Sequence, residues 1–218
     1  MSYRLVIFDF DGTLADTFPW FSRVLNGVAD RFGFKRIEDG QGETLRGLSA
    51  QEIIAHLGVP RWKLPLIARH MRKLAAEHRD EIRLFEGVDC MLQDLAERGI
   101  RLAVVSSNSE ANVRRTLGPH NAGLIADFAC GASLFGKAAK FRRVLKRGRA
   151  LPSEAICIGD EIRDAEAART IGIAFGAVAW GYTDPRALRA HNPEVVFDRV
   201  QEIVGRLTTH SSVSRTGA

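Results

Sequence analysis

The sequence predicts an α/β protein, a doubly wound parallel sheet with an all-helical segment inserted after its first strand. Three observations predict this. From about residue 85 onward, short continuous apolar runs alternate with helical stripes, the pattern of parallel strands buried on both faces between helices. Between the first strand and that region, residues from about 17 to 82 carry helical periodicity and no convincing strand. Polar and acidic residues then gather just past the ends of the apolar runs, where open parallel sheets bind their ligands.

Residues 3–8 read as the first strand. Phe21, Val24, Leu25, Val28 and Phe32 follow helical spacing and mark an amphipathic helix. Ser49 is a candidate cap for a second helix containing Ile53, Ile54 and Leu57 and closed by Gly58. Ile67, Met71, Leu74 and Ala75 form a third stripe. The alternating part follows. Val88, Met91, Leu92 and Leu95 form a helical stripe ending at Gly99. RLAVVSS (101–107) is a strand, 110–118 a helix and DFACGA (127–132) a short strand. Phe141, Val144 and Leu145 mark a helix, AICIGDE (155–161) a strand and 162–171 a helix. FGAVAW (175–180) is a strand, 185–191 a short helix and VVF (195–197) a last strand. Val200, Ile203, Val204 and Leu207 give the final helix. The predicted division is a core of residues 1–15 and 83–208, a helical cap of 16–82 and a flexible polar tail of 209–218.

With 218 residues the chain holds one large domain, or a core and a smaller one. No apolar run approaches a membrane span, so no membrane partner is expected. The first apolar stretch runs straight into Asp9 rather than following a basic segment, so a cytoplasmic location is expected. Cys90, Cys130 and Cys157 are odd in number and show no CxxC spacing, and they read as buried free thiols. The net charge of +5, with a dense run at FRRVLKRGR (141–149), reads as solvated helix faces. Without a zinc knuckle, arginine-rich arm or aromatic–basic alternation, nucleic acid is not an expected partner. A monomer is the default.

Asp9 and Asp11 end the first strand, followed at once by Gly12 and Thr13. Two carboxylates at a buried strand end repel each other and lose hydration unless something compensates. The strand at 101–105 ends in Ser106, Ser107 and Asn108. The strand at 155–158 ends in Gly159, Asp160 and Glu161, with Asp164 one turn into the next helix. Gly136 and Lys137 begin the helix after the strand at 127–130. This set suits phosphoryl transfer. Asp9 and Asp160 can chelate Mg²⁺, which prefers carboxylates, water and phosphate oxygens. Lys137 adds positive charge where an anionic nucleophile meets an anionic phosphate. Ser106 and the backbone N–H groups near Ser107 and Asn108 can donate to phosphate oxygens. Asp11 can protonate the leaving alcohol and then deprotonate water. Gly12 allows a sharp turn close to the ligand. Each piece alone has an ordinary explanation: a solvated strand end, a helix-capping serine, a surface lysine or a first-turn aspartate. Lys140, one turn after Lys137, competes for the same role.

FDFDGTLAD resembles the first motif of the haloacid dehalogenase superfamily of phosphatases, and IGDEIRDAEAA its fourth. VVSSN resembles the second, and GKAAK places a lysine where the third belongs. The resemblance runs from residue 4 to about 207, and the insertion point matches the subgroup with a helical cap. GYTDPRALRAHNPEVVFD is similar to phosphoglycolate-phosphatase-type members. The resemblance implies a Rossmann-like core and a Mg²⁺-dependent phosphatase acting on a small phosphorylated metabolite. It implies Asp9 as a nucleophile forming an aspartyl-phosphate and as a metal ligand. Asp11 would be the acid/base with its carbonyl on the metal, Ser106 would hold the phosphoryl group and Lys137 would neutralise charge. Asp160 would bind the metal directly, and Glu161 or Asp164 would hold its waters. Thr13 and Asp16 would belong to the hinge and turn, and Gly12, Thr13, Ser107 and Asn108 to the substrate-facing loops. Glu161 departs from the small residue usual after GD, and Ala138 from a proline after the lysine. In the cap, RGLSA (46–50) resembles the substrate loop of β-phosphoglucomutase but has Ala50 where that loop ends in arginine. Arg46 is the candidate cap contact to substrate. A β-phosphoglucomutase-like mutase and a non-catalytic phosphate-ligand binding protein are the alternatives.

Overall fold

The computed structural model describes residues 3–38, 40–131 and 136–208, without the side chains of Glu43 and Thr44. The first strand β1 (Leu5–Phe8) is followed by a two-residue strand β2 (Ala15–Asp16) and four helices: α1 (Phe18–Phe32), α2 (Gln41–Arg46), α3 (Ala50–His56) and α4 (Leu64–Glu77). The chain returns through β3 (Arg83–Leu84), then runs α5 (Val88–Glu97), β4 (Arg101–Val105), α6 (Glu110–Leu124), β5 (Ile125–Ala129) and α7 (Lys137–Gly148). It ends with β6 (Ala155–Gly159), α8 (Ile162–Ile171), β7 (Ala174–Val178), α9 (Pro185–Arg189), β8 (Val195–Phe197) and α10 (Glu202–Thr208). The sheet order is β5-β4-β1-β6-β7-β8, and every pairing is parallel.

Alternation along β1 assigns the two layers. Val6 and Phe8 join a core with Val88, Leu92 and Leu95 of α5, Val113 of α6 and Ile203 of α10. Leu5 and Ile7 join the opposite core with Phe141 and Val144 of α7, Ala168 of α8 and Leu188 of α9. Successive residues of a strand face opposite sides, so a strand apolar at every position must be covered twice. Phe8 is in register with Val104 of β4 on one side and with Ile158 of β6 on the other. The residues that follow these three strands therefore emerge at one level on one edge.

The insertion leaves and re-enters through an antiparallel ribbon, with Ala15 opposite Leu84 and Asp16 opposite Arg83. These two-residue strands lie where no strand was expected, because they are too short to show alternation. Helix α2 is a further addition. Ser49 caps α3 through a reciprocal box with Glu52. Helix α6 runs past its expected end at 118, continuing beyond a break at Gly118 that precedes Pro119. The expected strand 127–132 starts earlier, at Ile125, and its last position lies outside the described residues, as does the predicted tail 209–218. Cys157 is buried, Cys130 half-buried and Cys90 exposed, all three unpaired. Cys90 departs from expectation because it lies on the outer side of α5, between the inward Val88 and Met91. Among the described residues no helix is long and apolar enough to cross a membrane.

Phe141 is fully buried one turn after Lys137 on α7. Phe141→Ala is expected to cost about 3–5 kcal/mol, read from urea unfolding. A loss below about 1 kcal/mol, within the range of surface changes, would show that this ring does not anchor α7.

Candidate active site

The common edge of β1, β4 and β6 collects the acids. Asp9 directly follows β1 and Asp160 directly follows β6; Asp164 sits in the first turn of α8, and all three are buried. Each offers a carboxylate oxygen, and these oxygens lie within 4.8 Å of one another. The backbone fits itself around them. Gly12 turns at φ +79°, and a Cβ there would overlap Asp160 and the Tyr182 ring. A Cβ on Gly181 would collide with the Asp160 side chain. Thr13 Oγ1 donates to Asp160 Oδ1 at 2.7 Å, and the Tyr182 backbone N–H donates to Oδ2 at 2.8 Å. Thr13 thus orients an acid.

Lys137 begins α7 with its ammonium 3.0 Å from Asp9 Oδ2 and paired also with Asp164. Asp164 further accepts the Glu161 backbone N–H at 3.2 Å, so it caps α8 while serving the cluster. Lys140 lies elsewhere: its Nζ donates to the carbonyls of Ser106 and Gly131, each at 2.7 Å. Between the two lysines, Lys137 is the one at Asp9. Glu161 faces Arg163, with which it forms an ion pair, and it is not among the three clustered acids. Of the two expected holders of metal waters, Asp164 is in the cluster, whereas the Glu161 carboxylate is paired with Arg163 two residues on.

Asp11 turns away from the cluster. It accepts from Ser106 Oγ at 3.3 Å and from Asn108 Nδ2 at 3.2 Å. The Asn108 amide is oriented from behind, because its Oδ1 accepts from Ser109 N–H and from Asn112 Nδ2. The Asn108 backbone N–H donates to Ser106 Oγ at 2.9 Å. This N–H is thus engaged within the loop in the ligand-free structure. Ser107 is half-buried between these two residues. Arg46, expected at the substrate, donates to the carbonyls of Tyr182 at 3.0 Å and Gly181 at 2.9 Å. It joins the cap to the loop that holds Asp160.

Burial dominates the electrostatics. It pushes Asp11 up to about 6, reinforced by the nearby Asp9 charge and opposed by the Asn108 hydrogen bond. Burial pushes Asp164 up to about 7 even though Lys137 favours its ionised form. Asp160 is held well above the usual carboxylate range by burial and by Glu161, Asp9 and Asp164. Burial disfavours the Lys137 ammonium, but Asp164 and Asp9 outweigh it and keep the group charged. Burial lowers Lys140 to about 8. Acids outnumber cations here: Asp9, Asp11, Asp160, Glu161 and Asp164 face Lys137 and Arg163. Oxygen-only donors, buried and in excess of their counter-charges, fit a hard divalent cation, with Asp9, Asp160 and Asp164 as the residues able to hold it.

Tyr182 and Arg163 were not among the expected site residues. Tyr182 lies past the end of β7, at the edge where the strand-end rule directs attention, but it carries no motif. Arg163 lies on α8 next to Asp164 and reads in sequence as an ordinary helix-face arginine.

Residues 6–178 match the family model of haloacid dehalogenase-like hydrolases. The chain belongs to that family. The haloacid dehalogenase-like chain is 30% identical over 208 residues to the phosphoglycolate phosphatase of Synechococcus elongatus, covering 94% of this chain and 97% of that one. It is 29% identical to the tyrosine-protein kinase PtkA of Mycobacterium tuberculosis, over 83% of this chain and 64% of the relative. A haloacid dehalogenase-like hydrolase from Streptococcus pneumoniae shares the fold at TM-score 0.77 and 18% identity, covering 94% of this chain and 98% of that one. The family and the phosphatase relative together make this haloacid dehalogenase-like chain a phosphatase.

A cation must displace protons from Asp160 and Asp164 to bind. Their raised values mean that the cation-free folded protein holds more protons than the unfolded chain between about pH 4 and 7. Its stability there falls as pH rises. The increase in unfolding midpoint given by saturating Mg²⁺ is therefore expected to grow from about pH 5 to about pH 7.5. An increment independent of pH, followed by scanning calorimetry, would contradict a cation held by these acids.

Proposed function

We propose that this phosphatase is Mg²⁺-dependent and hydrolyses a small phosphomonoester in two displacements at Asp9. The observation that carries the reading is the division of labour between two carboxylates two residues apart. Asp9 lies against the Lys137 ammonium at 3.0 Å, whereas burial and the Asp9 charge make Asp11 protonatable near 6. Paired acids with environments this different take nucleophilic and acid/base roles.

In the first displacement an Asp9 carboxylate oxygen attacks phosphorus and the P–O bond to the alcohol breaks. Asp11 gives its proton to the departing oxygen. The product on the protein is an aspartyl-phosphate. In the second displacement Asp11, now ionised, takes a proton from water as that water attacks the same phosphorus. The P–O bond to Asp9 breaks, and inorganic phosphate leaves with Asp9 restored. Lys137 holds Asp9 in place and balances charge as nucleophile and phosphate approach. Ser106 Oγ, 3.3 Å from Asp11, is placed to donate to a phosphoryl oxygen. Mg²⁺ held by Asp9, Asp160 and Asp164 would supply further charge neutralisation of the phosphate. Helices α1 and α2 reach this edge through Phe18, Phe21 and Arg46, which contact Tyr182 and Gly181. The relationship to the Synechococcus elongatus phosphoglycolate phosphatase makes 2-phosphoglycolate the first substrate to try.

Phosphate release is expected from 2-phosphoglycolate or another small phosphomonoester with Mg²⁺, and not after chelation. Asp11→Asn is expected to lower kcat by about 10²–10⁴-fold, and Asp9→Asn to abolish turnover. Release by Asp9→Asn within about tenfold of the parent, far above what loss of a nucleophile allows, would rule out covalent catalysis at Asp9.

A further inference from the structure

The proposed mechanism makes no use of Lys140, yet this lysine is tied into the loop that carries Ser106. Its stem leaves α7 one turn after Lys137, and its ammonium sits between two strand-end loops. There it donates at 2.7 Å to the Ser106 carbonyl, just past β4, and at 2.7 Å to the Gly131 carbonyl, just past β5. A further bond joins the same loops, because the Gly131 N–H donates to the Asn108 carbonyl at 2.7 Å. Lys140 is half-buried, and an ammonium gives up water only where acceptors replace it.

These bonds fix a direction. In the sheet, β4 lies between β5 and β1. Sharing one ammonium with Gly131 turns the Ser106 carbonyl toward the β5 flank. The peptide from Ser106 to Ser107 is trans, and the C=O and N–H of a planar trans peptide point in opposite directions. The Ser107 N–H is therefore turned toward the β1 flank, where Asp9 and Asp11 stand. It has no acceptor among the described residues, whereas the neighbouring Asn108 N–H is taken by Ser106 Oγ.

We propose that Lys140 is a positioning residue, which holds the Ser106–Ser107 peptide so that the Ser107 N–H faces the phosphoryl group beside Asp9. The inference rests on the proposed function for the place of that group. Without the ammonium the peptide plane is free to turn over, and a flipped peptide shows the phosphate a carbonyl oxygen in place of an N–H. A donor fixed in advance costs no reorganisation when the anion arrives. The two lysines of α7 thus divide the work: Lys137 balances charge at Asp9, and Lys140 sets the backbone after β4.

The probe is inorganic phosphate with Mg²⁺ present, followed by amide NMR spectra of serine-labelled protein and by calorimetric titration. Ser107→Ala identifies the Ser107 resonance by its loss. In the parent, phosphate is expected to move the Ser107 amide proton downfield, as a hydrogen bond to an anion does. Lys140→Met keeps the stem and removes the donors. It is expected to abolish that shift and to raise the phosphate Kd ~10-fold, the scale of one charge-assisted hydrogen bond. Lys140→Gln, polar but shorter, is expected to act in the same direction and carries the test where Lys140→Met does not fold. A purely structural role would lower the unfolding midpoint and leave the Ser107 shift intact and the Kd within about twofold of the parent. That result would overturn the proposal, as would a parent Ser107 amide that phosphate does not move. A Lys140-dependent shift in a protein that hydrolyses no phosphomonoester would uphold the positioning role and reject the proposed mechanism. Hydrolysis with a silent Ser107 amide would reject the positioning role alone.

Discussion

The structure is organised around a surplus of buried negative charge. Three aspartates converge at the edge of the sheet, a fourth lies beside them, and Lys137 and Arg163 are the buried cations that face them among the described residues. A site that buries like charges so closely is unfavourable by itself, so everything around it serves to hold the acids where they do not want to be. The parallel register delivers Asp9 and Asp160 to one level. Helix α8 uses Asp164 as its own cap, which ties the acid to helix formation. In the proposed mechanism a divalent cation would offset this surplus of charge.

The same edge explains how the cap is attached. Arg46 donates to two carbonyls in the loop whose next N–H orients Asp160. Tyr182, in that loop, stacks edge-on with Phe18 and Phe21 of α1, and its hydroxyl lies 2.8 Å from Thr17 Oγ1. The cap and the Asp160 carboxylate are therefore neighbours through one residue. Asn112 makes a second link, from Asn108 to the α4 backbone at Arg72.

Much of the fold and part of the site were legible in the sequence, and the boundary between the two is physical. Strands β1, β4, β6 and β8 were readable because burial on both faces leaves an unbroken apolar run. Asp9, Asp11 and Asp160 were readable because they follow strand ends of a parallel sheet, where ligands bind, and Asp164 because it stands in the first turn of the helix that follows. The ribbon of β2 and β3 was not readable, since two residues carry no periodicity. The partners of the acids were harder still. Lys137 and Lys140 are equivalent as letters, and only the pitch of α7 turns one to Asp9 and the other to the Ser106 carbonyl. Glu161 stands in the motif as a possible ligand, and nothing in the sequence signals its pairing with Arg163. Tyr182 acts through its backbone N–H, which any residue but proline possesses, so its identity carried no signal of that role.

The ribbon at Ala15–Asp16 and Arg83–Leu84 has a meaning beyond its size. The chain departs from the core and comes back at paired positions on adjacent strands. The whole helical insertion is thus closed at its base like a lobe on a stalk, and the sheet's order is the same whatever that lobe contains. Selection acting on the lobe alone alters what is admitted to the acids, while the acids and the strands that bring them together stay as they are.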